Sequence, residues 1–182
     1  EKGWTGQLIE YVLGATAGSK PLPDFEDLGI ELKTLPISYK GKPLETTFVS
    51  VTPLMNVTGM TWHTSSVRKK LNHVLWLPIL SERNIAPFDR TIGSGFLWQP
   101  SPAQDAQLQR DWEEQMELIA LGRVDEISGH LGDAMQIRPK AANSKVVTDA
   151  IGPNGQIIQT LPRGFYLKTS FTKEILKQQF QL

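Results

Sequence analysis

Apolar residues recur at helical spacing in several segments of the chain. In the clearest one, a cap and helix start at Ser101-Pro102 lead into a series that Gly122 ends, formed by Leu108, Trp112, Met116 and Ile119. Serine before a helix and proline in its first turn are typical of helix starts. The spacing predicts helices over residues 4–17, 102–121, 143–151 and 172–181.

Other segments alternate apolar and polar residues, which is the pattern of a β-strand. The best example is residues 28–37, where Leu28, Ile30 and Leu32 alternate with polar positions or glycine. Pro78 places the apolar run 74–80 near a sheet edge or at a bulge. Further strands are expected at 46–51, 96–99, 134–138, 156–160 and 164–168. The mixture predicts an α/β fold with one central sheet surrounded by helices.

Composition narrows the class of protein. The chain has 182 residues, a mass of 20.3 kDa, 40% apolar and 21% charged residues, which fits one globular domain or one domain with two lobes. Without cysteine it has neither disulfides nor thiolate metal sites. No apolar run approaches the roughly 18 residues of a membrane span, and no secretory signal is present, so we expect a cytoplasmic protein. Because the chain starts at Glu1, we also expect that an N-terminal segment is missing.

The charges cancel, with 19 basic and 19 acidic residues, but they are unevenly distributed. Residues 104–126 are mainly acidic, residues 133–182 are mainly basic, and Arg68-Lys69-Lys70 forms a short basic run. This distribution allows a basic face for a polyanion, but charge alone favours an ordinary solvated surface.

Asp24, Glu31 and Lys33 form the most informative chemical pattern. Side chains two apart in a strand point to the same face, so Glu31 and Lys33 share a face while Leu32 points into the core. Two carboxylates meeting at a strand end suit Mg²⁺, with the Leu32 carbonyl as a third ligand and Lys33 beside the reacting phosphate. The same residues are also compatible with a simple surface ion pair. The three histidines lack the spacing of a zinc site.

Longer words of sequence point to a family. The pattern Pro-Asp…Glu-x-Lys resembles that of the restriction-endonuclease-like nucleases, and several longer segments resemble the MutH family of methyl-directed mismatch repair. These segments are Gly14–Pro21, Leu28–Pro36, Pro43–Val49, Val67–Leu71, Asp111–Glu114, Gln136–Asn143 and Leu161–Lys168. They follow one another along the whole chain, and the long ones are specific.

The resemblance implies a Mg²⁺-dependent endonuclease that binds duplex DNA at GATC. It would nick the unmethylated strand 5′ of the G at hemimethylated or unmethylated sites, and a MutL-type protein would activate it. The implied fold is a restriction-endonuclease-like mixed sheet flanked by helices. An N-terminal catalytic lobe and a C-terminal recognition lobe of a single domain, residues 1–182, would form the DNA cleft.

Residue roles follow from the same resemblance. Asp24 and Glu31 would bind metal, Lys33 and Lys70 would be catalytic lysines, and Glu10 would be an outer acidic group. Residues that would contact DNA are Lys2, Arg138, Pro139 and Tyr166. An arginine fork matches the O6 and N7 atoms of guanine, and the tyrosine ring would sense methylation of adenine.

Two alternatives remain open at this point. A restriction endonuclease of the same fold would cut both strands of GATC, whereas a monomer with one active site would cut one strand. A catalytically inactive DNA-binding module is the second alternative, although the intact Asp24, Glu31 and Lys33 set argues against it.

Overall fold

The computed structural model describes residues 3–18 and 20–181. This part of the chain contains helices α1 (Trp4–Leu13), α2 (Ser66–Leu71), α3 (Pro102–Ala120) and α4 (Thr169–Phe180). Its strands are β1 (Glu31–Ile37), β2 (Thr47–Val51), β3 (Val74–Leu80), β4 (Thr91–Ile92), β5 (Phe96–Trp98), β6 (Met135–Pro139), β7 (Thr148–Ile151), β8 (Ile157–Thr160) and β9 (Arg163–Leu167). No helix in it is long and apolar enough to cross a membrane.

The predicted mixed α/β class is confirmed, but the strands form three sheets rather than a single central one. In the first sheet β1 pairs with β3 in parallel, and β3 pairs on its other side with the antiparallel strands β4 and β5. The second sheet is antiparallel in the order β2-β9-β6, and β7 and β8 form a separate hairpin. The metal-site pattern lies on the first sheet and the predicted base-reading residues lie on the second.

Pro78 does not lie at a sheet edge, which was one of the two placements expected from the sequence, but at an interruption in the pairing of β3. β3 is paired on both sides, and Pro78 falls between the segment paired with β5 and the segment paired with β4. Its carbonyl accepts a hydrogen bond from Gly93 N at 2.8 Å on that side. Because proline has no N–H to donate, the antiparallel neighbour is divided into two short strands around it.

The helix expected over 143–151 is wrong. Thr148–Ile151 is strand β7, which pairs with β8 across the turn at Gly152-Pro153-Asn154-Gly155. Val146, Val147 and Thr148 are β-branched and favour extended backbone. The strong turn directly after them closes a hairpin instead of ending a helix.

The remaining predicted elements occur with shifted ends. The first helix stops at Leu13, where Gly14 N caps the carbonyl of Tyr11, instead of continuing to residue 17. The first strand begins at Glu31, because residues 26–28 form a short 3₁₀ helix. The closing helix begins earlier than predicted, at Thr169.

One hydrophobic cluster holds the first and second sheets together. It contains Leu35 and Trp76 from the first sheet and Ile137 and Phe165 from the second. The predicted apolar series of α3 is buried in the same cluster: Leu108, Trp112, Met116 and Ile119. The two groups of candidate residues are therefore carried by sheets that share a core.

Candidate active site

Asp24 and Glu31 are brought together by the start of β1. Asp24 lies in the preceding loop and is only 7% exposed, and Glu31, the first residue of β1, is 3% exposed. Leu32 N donates a hydrogen bond of 2.9 Å to Asp24 Oδ2, which fixes the loop against the strand. The spacing in the sequence thus predicted a real juxtaposition of two buried carboxylates.

The Leu32 carbonyl faces the same edge of β1 as Asp24. In a strand, the N–H and C=O of one residue point to one edge and those of the next residue point to the other. Glu31 N donates to His73 O at 3.0 Å, toward β3. Leu32 therefore directs its backbone groups to the opposite edge, where its N–H already meets Asp24. A third oxygen is thus available beside the two carboxylates.

Two lysines converge on Glu31. Lys33 Nζ donates to Glu31 Oε1 at 2.9 Å, and Lys70 Nζ donates to Glu31 Oε2 at 3.1 Å and to Leu22 O at 3.0 Å. The lysine side chains are 11% and 17% exposed. These charge-assisted contacts join a buried carboxylate to two largely buried lysines, so the surface-pair interpretation of Glu31 and Lys33 is wrong.

Lys70 reaches the site because α2 is held at a fixed place. Ser65 Oγ caps the helix by accepting from Arg68 N at 3.1 Å. On the other side of the helix, Arg68 Nε donates to Asp105 Oδ1 on α3 at 3.3 Å. A six-residue helix has little stability of its own, so these contacts position the lysine.

Two carboxylates of the site, Asp24 and Glu10, are destabilised in their ionised form. Burial raises the pKa of Asp24, and the negative charge of Glu31 raises it further. Burial also raises the pKa of Glu10 on α1, with added repulsion from Asp24 and Glu31. Three carboxylates thus share the field of two lysines, so an excess negative charge remains when all of them are ionised.

The donor set suits a hard divalent cation. Mg²⁺ prefers oxygen ligands and keeps several waters, so it needs few protein groups. The two carboxylates and the Leu32 carbonyl satisfy that requirement. Residues 3–18 and 20–181 contain no group of three or more acidic or histidine side chains arranged to bind a metal, so a cation here would depend on the backbone oxygen and water.

The predicted base-reading residues lie side by side on the second sheet. Arg138 and Pro139 end β6, and Tyr166 is on the neighbouring β9. The Arg138 guanidinium lies 5.6 Å from the centre of the Tyr166 ring, and its Nη1 donates to Thr46 Oγ1 at 2.9 Å. Burial raises the pKa of Tyr166, which keeps the hydroxyl protonated. Lys2 lies outside the described residues.

Phe48 and Lys140 lie between the carboxylate–lysine site and the Arg138–Tyr166 pair, and no sequence pattern identified them as site residues. Lys140 Nζ lies 3.5 Å from the centre of the Phe48 ring, and the Phe48 and Tyr166 rings meet edge to face at 5.4 Å. Burial, together with repulsion from Lys33, lowers the pKa of Lys140. A signal was present, because Phe48 alternates with the buried Thr47 and Val49 in β2 and therefore points to the opposite face.

The fold is mixed α/β, and two carboxylates and two lysines meet at the start of β1. An arginine and a tyrosine lie together on the second sheet. These are features of a nuclease. Comparison with known proteins gives the family. A profile described as "MutH: DNA mismatch repair enzyme MutH" matches residues 13–111. The chain belongs to the MutH family, as its resemblance predicted, and is therefore an enzyme that acts on DNA in mismatch repair.

Several relatives carry the name DNA mismatch repair protein MutH. The protein of Vibrio cholerae serotype O1 (strain ATCC 39541) is 58% identical over 180 residues, which is 99% of this chain and 81% of the relative. That of Yersinia enterocolitica is 56% identical over 181 residues, covering 100% and 79%. That of Shewanella oneidensis is 57% identical over 180 residues, covering 99% and 81%.

Proposed function

We propose that the chain is a Mg²⁺-dependent endonuclease that nicks the unmethylated strand 5′ of the G in hemimethylated or unmethylated GATC. The observation that carries this proposal is the convergence of Lys33 and Lys70 on Glu31 beside the buried Asp24. Metal-dependent hydrolysis of a phosphodiester uses negative charge to hold the cation and positive charge to stabilise the transition state. Both kinds of charge meet at the start of β1, where Asp24 comes from the preceding loop and Lys70 from α2.

Asp24, Glu31 and the Leu32 carbonyl would hold the cation. When bound, Mg²⁺ supplies a Lewis acid and lowers the pKa of a coordinated water. In the structure each oxygen of Glu31 accepts from a lysine, so Lys33 and Lys70 stand directly beside the proposed site. Their ammonium groups would stabilise the charge that develops on the scissile phosphate, and Glu10 would add to the negative potential that attracts the cation.

Recognition is assigned to the second sheet. Arg138 would place its fork against guanine O6 and N7 in the major groove, next to Pro139. Tyr166 would pack against the N6 edge of adenine, where an added methyl group would clash with the ring. Thr46 and Tyr166, which hold Arg138 in the structure, keep its side chain oriented without DNA. Lys2 is proposed as a further DNA contact.

The remaining features of the proposal concern organisation. Residues 1–182 would form one domain in which the catalytic and recognition lobes enclose a DNA cleft. The enzyme would act as a monomer, because one active site is sufficient to cut one strand. We place it in the cytoplasm. A MutL-type protein is proposed as its activator.

A plasmid with a single GATC site tests the reaction. We expect Mg²⁺-dependent conversion of unmethylated and hemimethylated plasmid to the nicked form, and no cleavage of the fully methylated form. Linear product from the hemimethylated plasmid would indicate a restriction endonuclease instead. Absence of cleavage with retained GATC binding, even with the activator, would indicate a DNA-binding module.

Asp24→Asn tests the metal site. The amide oxygen still accepts from Leu32 N, so the fold is preserved while a charged ligand is lost. Cleavage should disappear and binding to GATC duplex should persist. Asp27→Asn, an exposed residue three positions along the chain, is the matched control and should cut normally. Normal cleavage by Asp24→Asn would refute the metal assignment.

Arg138→Ala and Arg138→Lys separate base reading from phosphate contact. Loss of a guanine contact should cost about 1–3 kcal/mol of preference for GATC over a changed site. Lysine keeps the charge but not the planar fork, so it should restore little of that preference. Equal loss on all sequences, with recovery by lysine, would make Arg138 a phosphate contact.

A further inference from the structure

The strand that carries Arg138 has two different edges. Along one edge β6 pairs with β9 through ordinary backbone hydrogen bonds. Along the other edge it faces α3, where two polar side chains are buried in a largely apolar core. Asp111 is 4% exposed and Gln115 is fully buried.

Asp111 binds the chain just as it enters β6. Its carboxylate accepts from Asp133 N at 3.1 Å, from Ala134 N at 2.7 Å and from Met135 N at 2.9 Å. The preceding Gly132 has a φ of +76°, and a Cβ there would overlap Met135 O and lie 3.2 Å from Asp111 Cγ. The turn into β6 therefore has no space for a side chain between its own backbone and this carboxylate.

Gln115 replaces a neighbouring strand along the next part of this edge. Its Nε2 donates to Met135 O at 3.0 Å, and its Oε1 accepts from Ile137 N at 2.8 Å. A residue of a parallel strand binds its neighbour in the same way, through the carbonyl of one residue and the N–H of the residue two positions on. Nε2 also donates to Asp111 O at 3.0 Å, which ties the amide to its own helix.

These contacts stop immediately before the predicted base-reading segment. Pro139 has no N–H, so the edge of β6 facing α3 offers no donor beyond Ile137 until the strand has ended. Arg138 is exposed and pairs through its backbone only with Gly164 on β9. The placement of Arg138 therefore depends on how the preceding residues of β6, Met135 to Ile137, are fixed.

A one-residue slip of β6 would turn Arg138 toward the core and Ile137 toward solvent. The burial of Ile137 already disfavours this slip, and directed hydrogen bonds add a second restraint, because they hold individual backbone groups of β6 at fixed positions along the strand. Asp111 accepts from the N–H groups of residues 133–135, and Gln115 binds Met135 O and Ile137 N; a one-residue slip would break this set of hydrogen bonds.

We propose that Asp111 and Gln115 are positioning residues that fix the register of β6 and thereby aim Arg138 at the DNA base. The inference rests on the proposed function, in which Arg138 reads guanine. It predicts that these residues act on sequence preference through Arg138, in addition to their contribution to the core.

Gln115→Met is the main test. Methionine has a similar shape but cannot bind Met135 O or Ile137 N. We expect the ratio of kcat/KM on GATC to that on a duplex with one changed base pair to fall about tenfold, since small misplacements of a contact are costly. The Mg²⁺ concentration for half-maximal cleavage should be unchanged, because the first sheet is untouched.

Two controls separate positioning from stability. Gln109→Met makes the same substitution on the same helix, where the amide binds only Glu113, and should leave the ratio unchanged. Ile119→Val removes a methylene from the core of α3 and lowers the melting temperature without affecting the polar contacts. If Ile119→Val reduces the ratio as much as Gln115→Met does, the inference is wrong.

The double variant Gln115→Met with Arg138→Ala gives the decisive comparison. If Gln115 acts through Arg138, adding Gln115→Met to Arg138→Ala causes no further loss of sequence preference. Additive losses would overturn the inference while leaving the proposed function intact. If Arg138→Ala alone keeps full preference, the base-reading role in the proposed function fails instead.

Gln115→Leu provides a second variant should Gln115→Met not fold. Its apolar side chain buries no charge and can bind neither Met135 O nor Ile137 N. A reduced ratio in the folded variant, measured below its melting temperature, supports the positioning role. An unchanged ratio overturns it.

Discussion

The two carboxylates of the proposed metal site have different hydrogen-bond partners, so we expect their neutral variants to differ in stability. Both oxygens of Glu31 accept hydrogen bonds from lysines, whereas Asp24 Oδ2 accepts one from the backbone of Leu32. Removing the charge of Glu31 should destabilise the metal-free protein. Removing the charge of Asp24 should not destabilise it, although either change should abolish cleavage.

The magnitude for Glu31→Gln follows from the burial of its partners. The variant removes the hydrogen-bonded counter-charge of Lys33 and Lys70, which are 11% and 17% exposed, and leaves Asp24 and Glu10 as the acidic groups near them. Breaking a buried ion pair from one side costs about 3–5 kcal/mol. We expect the lower value, about 3 kcal/mol, because glutamine still accepts one bond. At this chain length that corresponds to a melting temperature about 6–12 °C lower.

The expectation for Asp24→Asn follows from the direction of its pKa shift. Burial and the charge of Glu31 raise the pKa of Asp24 above its ordinary value of 3.8. The folded protein therefore holds this proton more tightly than the unfolded chain, so the ionised carboxylate costs stability at neutral pH. Asparagine removes that cost and keeps the bond to Leu32 N, so its melting temperature should equal or exceed that of the original chain.

The same shift predicts a dependence on pH. The cost of Asp24 grows as the pH rises from 3.8 through the raised folded pKa and is constant above it. The advantage of Asp24→Asn should therefore be largest above the raised folded pKa and shrink as the pH falls toward 3.8. A constant advantage at all pH values would contradict the assigned cause.

Thermal unfolding followed by circular dichroism in EDTA measures all three proteins, with Asp27→Asn as the exposed control. A melting temperature of Glu31→Gln within 2 °C of the original chain would refute a stabilising role of the Glu31 charge. A melting temperature of Asp24→Asn below that of the original chain would refute a destabilising role of the Asp24 charge. Activity alone cannot make this distinction, since both variants are expected to be inactive.

Three further predictions concern other parts of the site. Lys70→Met should lower kcat for nicking about 100-fold with GATC binding retained, and a normal kcat would remove this lysine from the reaction. Tyr166→Ala should reduce the difference in cleavage between methylated and unmethylated GATC while the Mg²⁺ requirement stays the same; undiminished discrimination would exclude it as the methylation sensor. In Gly164→Ala the new Cβ would lie 2.8 Å from the Phe48 ring, so chemical denaturation should show a loss of about 1–3 kcal/mol. An unchanged free energy of unfolding would show that the ring moves freely.

The parts of the site that could be predicted from residue spacing are local ones. Asp24, Glu31 and Lys33 lie within ten residues, and the alternation of a strand decides which of them share a face. Lys70 comes from a helix that is 39 positions away from Glu31 in sequence. No local pattern specifies that approach, and only the family resemblance indicated it.

The division into sheets could not be predicted for a related reason. Alternation shows that a segment is a strand but not which strand it pairs with. β2 pairs with β9, matching Thr47 with Leu167 across most of the chain, while β1 pairs with β3. The helix prediction for residues 143–151 was wrong for a different reason. The β-branched residues and the turn after the segment outweighed an apparent helical spacing.

The charge distribution explains why the proposed site has two lysines for three carboxylates. A third lysine would neutralise Glu10, Asp24 and Glu31 and remove the electrostatic attraction for a cation. With two, the excess negative charge raises the pKa of Asp24 and of Glu10, which is a cost to the metal-free fold. A divalent cation would relieve that cost on binding, so the repulsion stored between the carboxylates favours the metal-bound state. In the proposed site, the electrostatic cost of the three carboxylates and the expected attraction for Mg²⁺ thus have the same physical origin.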